Sequence, residues 1–266
     1  MELIHPIFKW LHIIAGITWI GLLYFFNFIN GHVAGTMDGD TKKKVVPELM
    51  PRTLYWFRWG AAWTWVTGII LLYVIFWKGS LGMGMSGEDG SMMADSGGII
   101  NKWTHITITL VFLAVFIYDF IYSKFSAVNV RILTIVSFSL IGIMVYTMGH
   151  CGDFGYRAYN IHIGAMFGTI MAFNVWFRIW PAQKKIITAI KNGEAPDGKL
   201  ATLAGLRSKH NTYLSVPLIW TMINEHTVTF SNIFGLHSGV ELMIIIALGW
   251  HIVFQLYKKS AKIEGF

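Results

Sequence analysis

The chain has 266 residues, 55% of them hydrophobic and only 13% charged, with a formal net charge of +7 and a mean hydropathy of +0.54. This composition excludes a soluble globular domain and points to a polytopic, all-α helical bundle in a membrane. The basic excess reads as a topology signal rather than a nucleic-acid footprint, and the one cysteine, Cys151, excludes both an internal disulfide and a covalently attached c-type haem, which needs a C-x-x-C-H motif.

Crossing a hydrocarbon core of about 30 Å takes roughly 20 helical residues. Seven apolar runs reach that length, at 7–29, 55–77, 103–123, 128–148, 158–180, 211–230 and 235–257, within a single membrane domain over 1–266. The first carries His12, is too long for a signal-peptide core and lacks a small-residue cleavage site, so it reads as a retained span. His5 before it and His32 after it are surface groups. The second run holds Trp56, Trp59, Trp63 and Trp65, an interfacial belt and packing set. Between it and the third lies a Gly/Met-rich segment, 79–101, with Met83, Met85, Met92 and Met93; it is a linker or a source of thioether ligands for Cu(I). His105 opens the third run, and Asp119 near its end snorkels or pairs with a base. The fourth is interrupted by Arg131 and leads into GHCGDFGYR, where His150 lies.

The fifth run carries His162. A basic loop, 181–209, follows it, with a short amphipathic helix expected over 183–192 that lies on the anionic leaflet. The sixth is the most polar, because RSKHNTYLSVPLIWTMINEH at 207–226 places His210, Pro217, Glu225 and His226 in or beside a span. His237, Glu241 and His251 lie on the last run. Of the 21 basic residues, 17 fall in the segments after the first, third, fifth and seventh runs or in the run ends that border them, and Lys and Arg in short loops stay cytoplasmic. The N-terminus is therefore expected outside and the C-terminus inside, in a bacterial inner membrane.

Ionisable groups inside a membrane mark a functional interior unless they merely bond across helices. On this topology His12, His105, His150, His162, His226 and His237 fall in or near the outer half, and His210 and His251 near the inner end. One or two b-type haems suit such a set, since neutral imidazoles from facing helices ligate iron axially. His237 and His251 are 14 residues apart, which puts them within about 40° of one helix face and about 21 Å apart along the axis, a spacing for two stacked haems. His210 and His226 are 16 apart, about 160° around an ideal helix, unless Pro217 bends or unwinds it. Glu225 and Glu241 would orient an imidazole or relay protons, or else sit solvated at the headgroups. LHIIAGITW in the first run and IHIGAMFGT in the fifth are alike, either as an internal repeat or by chance, and a true repeat would make His12 and His162 an axial pair. His226 and His251 are the other axial candidates.

Four blocks, WLHIIAGITWIGLLYFFNF (10–28), MPRTLYWFRWGA (50–61), HIGAMFGTIMAFNVWFRIWPAQKK (162–185) and 207–226 itself, resemble the membrane domain of the bacterial cytochrome-linked urate oxidase (urate hydroxylase) family. Members join such a domain to a C-terminal cytochrome c domain and oxidise urate to 5-hydroxyisourate, with electrons passing to the c haem. The resemblance implies roles as ligands for His12, His162, His210 and His226, and implies Arg52, Arg58 and Asn211 as groups that hold a propionate, a quinone or an anionic substrate. The sequence has no C-x-x-C-H, so the acceptor would be a separate protein.

The reading adopted from the sequence is a b-haem redox subunit that exchanges electrons with a periplasmic c-type cytochrome, and with a quinone or other membrane redox subunits, in a larger respiratory complex. The alternatives are a urate oxidase-like enzyme using a separate cytochrome c, and a copper-handling or transport protein. No nucleic-acid partner is expected.

Overall fold

A computed structural model describes residues 3–77, 102–125, 128–224 and 237–264. Among them run seven helices: α1 (Ile4–Thr36), α2 (Gly39–Trp77), α3 (Lys102–Lys124), α4 (Val130–Cys151), α5 (Tyr156–Asn192), α6 (Gly198–Ile223) and α7 (Ser238–Ser260). All but α6 are long and apolar enough to cross a membrane, which makes six candidate spans among the described residues rather than the expected seven. Lys199, Arg207, Lys209, His210 and Asn211 dilute the apolar content of α6. The run expected at 211–230 starts within α6 and passes outside the described residues at 225.

Local chemistry sets the helix boundaries. Met37 is extended, with ψ 136°, and Asp38 then caps α2. One of its carboxylate oxygens accepts the Thr41 backbone N–H at 2.8 Å and the other accepts the Thr41 hydroxyl at 2.8 Å. These two donors hold the Asp38 carboxyl below the usual carboxylate range. Asn129 caps α4 by accepting the Arg131 N–H at 2.9 Å. α5 ends at Gly193, left-handed at φ 79°, a backbone conformation glycine adopts without penalty. The amphipathic stretch expected at 183–192 is the last part of α5 itself, so the chain within 181–209 is helical up to Asn192 and again from Gly198. α6 likewise continues through Pro217 as helix.

Among the described residues four stretches widen into π-helix: Phe25–Asn30 in α1, Tyr73–Trp77 in α2, Thr147–Cys151 in α4 and Asn174–Ile179 in α5. Such bulges recur at functional positions in helices, and here each contains a polar or indole side chain that makes a tertiary contact.

The chain divides into two compact units. Unit 1 comprises Met1–His5, Gly68–Ile170 and Pro217–Leu248. Phe76, Val111, Met148, Phe154, Ile163, Phe167 and Leu242 are buried in it. α5 and α6 touch at Gly164, where an added Cβ would lie 2.2 Å from the Thr221 hydroxyl oxygen, so only glycine permits this approach. Unit 2 comprises Pro6–Thr67, Met171–Val216 and Gly249–Phe266, with Trp19, Leu23, Leu54, Phe57, Ala61 and Val253 buried. Here Gly60 lets α2 lie against the α1 backbone, its would-be Cβ 3.2 Å from the Trp19 nitrogen. Close contacts through small residues are the usual currency of helix packing in lipid.

α5 is the most enclosed candidate span, with 61% of its most apolar window buried against 11% for α1. Large apolar side chains cover the exterior, Trp10, Trp56, Phe116 and Ile135 all being 60–65% exposed. Water would penalise such a surface, and a bilayer accommodates it.

Candidate functional site

His162 is the most completely enclosed ionisable ring in unit 1, with no exposed surface. Its Nδ1 lies 2.6 Å from the Ala158 carbonyl, which only accepts, so Nδ1 carries the proton. Its Nε2 then accepts the Trp77 indole N–H at 3.0 Å. The ring is neutral and both nitrogens are satisfied. Phe154, Phe76 and Trp77 surround it at centroid distances of 5.2, 5.9 and 6.1 Å. Trp77 reaches it from the π-helical end of α2.

Other polar groups of unit 1 gather on α5, α6 and α7. Asn160 is fully buried and donates through Nδ2 to the Thr221 carbonyl at 3.2 Å. Tyr159 hydrogen-bonds to Ser238. Glu241 is 3% exposed and acts electrostatically on Tyr156, so this carboxylate is a buried group and not one solvated at the surface. His150 packs on Tyr146 at 4.6 Å and meets His237 edge-on at 6.3 Å. His237 precedes the first residue of α7, and its Nδ1 accepts the Gly239 N–H at 3.2 Å. His105, His150 and His237 are exposed side chains.

In unit 2, Thr67 spends its hydroxyl proton on the Trp63 carbonyl at 2.6 Å and so accepts from Nδ1–H of His12 at 3.1 Å. That puts the lone pair of His12 on Nε2, and the ring also bonds the Thr64 backbone; a hydrogen-bond partner that fixes the ring in this way is what orients a ligating imidazole. α6 presents a polar stripe at helical spacing, Arg207, Asn211 and Ser215, all fully buried. Asn211 accepts from Asn174 at 2.9 Å and donates to the Met171 carbonyl at 3.0 Å. Ser215 bonds Tyr24 at 3.0 Å. Asn27 donates to Ser208 at 2.8 Å and accepts the Tyr257 hydroxyl at 2.9 Å. His210 is half-buried beside this stripe, and His251 is exposed, its Nε2 accepting the Gln255 amide at 3.0 Å. Arg52 is exposed and paired with Glu48 at 2.5 Å. Arg58 is packed among aromatic rings, with Trp180 at 4.0 Å.

The family model described as urate oxidase N-terminal matches residues 32–264. This chain belongs to the urate oxidase N-terminal family. The match takes in His162, His210, Asn211, Arg52 and Arg58, and begins beyond His12 and the block at 10–28. No curated protein and no solved structure matches the chain.

For this urate oxidase N-terminal family member, the test of a haem is whether imidazoles present lone pairs to iron. His12 has its lone pair on Nε2. His162 offers none without first releasing Trp77, and His251 none without releasing Gln255. The pairing expected between His12 and His162 joins residues of different units. Among the described residues no group of three or more His, Cys, Asp or Glu is placed to hold a metal ion. Glu225, His226 and the methionines of 79–101 lie outside the described residues. Sequence reasoning missed Trp77, Thr67, Asn174 and the buried Arg207, which it had counted only as a topology charge. The spacing of Arg207, Asn211 and Ser215 was the one available signal, since three polar residues four apart share a helix face.

Proposed function

We propose that this protein is a urate oxidase-like membrane enzyme that oxidises urate, or a closely related purine, and passes the electrons to a c-type cytochrome. The observation that carries the reading is the family match over 32–264, most of the chain. The reaction balances as urate plus water giving 5-hydroxyisourate, two protons and two electrons, with two ferric cytochromes each taking one electron. Haem b is the cofactor carried by this proposal; bound, it would supply one-electron chemistry, and His12, its ring oriented by Thr67, is the described histidine assigned to the iron. In the polar stripe of Arg207, Asn211 and Ser215, Arg207 is the candidate positive charge for a planar monoanion.

The experiment uses the purified chain in detergent with urate and ferricytochrome c, following urate loss and cytochrome reduction together, with a pyridine haemochrome spectrum on the same sample. The expected result is urate loss with two cytochromes reduced per urate, and a loss of haem in His12→Ala. A haem-loaded preparation that consumes no urate would return the function to an electron-transfer subunit.

A further inference from the structure

Among the described residues no carboxylate meets the charge of Arg58. Among the described residues it makes no salt bridge, and its buried Nε has no hydrogen-bond acceptor. Ring faces hold it instead. The guanidinium carbon lies 4.0 Å from the centroid of Trp180, 5.7 Å from Tyr55 and 5.8 Å from Trp176. Trp176 is itself fixed, its indole N–H donating to the Arg58 carbonyl at 3.0 Å. Cation–π contacts orient a guanidinium and compensate its charge only in part, so the fork of donors is pre-set for an anion.

Depth says which anion. The apolar stretch of α2 begins at 55 and that of α5 ends at 180, so Arg58 meets Trp180 where both helices leave the hydrocarbon. Tyr55, Trp56 and Trp59 are exposed at this level, by 47%, 62% and 39%, as in a headgroup belt. Lys184, one turn beyond Trp180 on the same helix, is exposed as well. This is the level of lipid phosphates, and Arg is the side chain whose planar fork matches a phosphate. We propose that Arg58, framed by Trp180, Trp176 and Tyr55, binds the phosphodiester of an anionic phospholipid.

Brominated acyl chains quench tryptophan, so the test titrates delipidated full-length protein in detergent with dibrominated phosphatidylglycerol and, separately, dibrominated phosphatidylcholine. The expected half-quenching concentration is about five-fold lower for phosphatidylglycerol, roughly what one basic side chain contributes at an anionic leaflet. Arg58→Gln brings that ratio to one, and Arg52→Gln, whose arginine already has Glu48, leaves it unchanged. Equal quenching by the two lipids in the unaltered protein overturns the proposal, as does a ratio that survives Arg58→Gln in a variant with an unchanged melting curve. Should that variant fail to fold, competition in the unaltered protein decides: millimolar inorganic phosphate that displaces the lipid overturns a lipid source, and phosphate that leaves quenching intact supports it.

Discussion

Trp77 and His162 each commit a ring nitrogen to the other, and His162 is wholly buried. Trp77→Phe keeps the aromatic packing but removes the donor from a wholly buried acceptor, a loss of about 1–3 kcal/mol. The expected readout is a lower thermal midpoint in detergent, with His162→Phe added to Trp77→Phe recovering part of it because both polar partners are then gone. An unchanged midpoint in the single variant would mean that this hydrogen bond carries no stability. At Asp38 the sign is set by the lowered carboxyl. Its cap is fully present above the unfolded pKa, about 3.9, and is lost as pH falls through the lower folded value. Hydrogen exchange at the Thr41 amide should therefore be faster in Asp38→Ala at neutral pH and should converge with the unaltered protein in acid. Single residues were legible in the sequence by depth and not by direction. His162 stood out as a polar group on an apolar run, yet His105, His237 and His251 read the same way and are exposed. A helix that is apolar all round gives no moment to say which face meets protein and which meets lipid. Trp77 was unreadable for another reason, its partner being 85 residues away.

At the scale of elements, the closest helix contact of unit 1 depends on one missing methyl. Gly164→Ala would drive its Cβ into Thr221, whose hydroxyl already donates to the Leu218 carbonyl at 2.8 Å. The expected cost is about 1–3 kcal/mol, seen as a lower midpoint, and Thr221→Ala combined with it should recover most of the loss by opening the space. Failure of that rescue would place the strain elsewhere. Hydropathy located these elements well, because each of the six candidate spans contains or largely overlaps one of the expected runs. Their ends were less legible. α5 runs past its apolar stretch through Pro181 to Asn192, so the amphipathic helix expected over 183–192 within a basic loop is continuous with the fifth run.

Taken whole, the molecule poses a parity question. Six spans would return the two ends to one side of the bilayer, and seven would separate them. The distribution of lysine and arginine predicts separation, with the N-terminus outside and the C-terminus inside. Reporters that fluoresce only in the cytoplasm, fused at either end, should light up at the C-terminus alone; two lit or two dark ends would remove α6 from the spans. The all-α membrane class was plain from composition, and four blocks of sequence pointed to the urate oxidase N-terminal family. The interior chemistry was less plain, because a stripe such as Arg207, Asn211 and Ser215 becomes visible only when a polar helix is known to be buried.

The four π-helical stretches carry Asn27, Trp77, His150 and Asn174, and each adds a residue to its turn. An added residue advances everything beyond it by about 100° around the axis. These stretches therefore act as phase shifters: removing a single residue from Tyr73–Trp77 would swing the indole away from His162 while leaving the length and hydropathy of α2 almost unchanged. Relatives that differ here by one insertion or deletion would keep the same spans and aim different side chains inward, which is a route to new chemistry that substitution counting does not register.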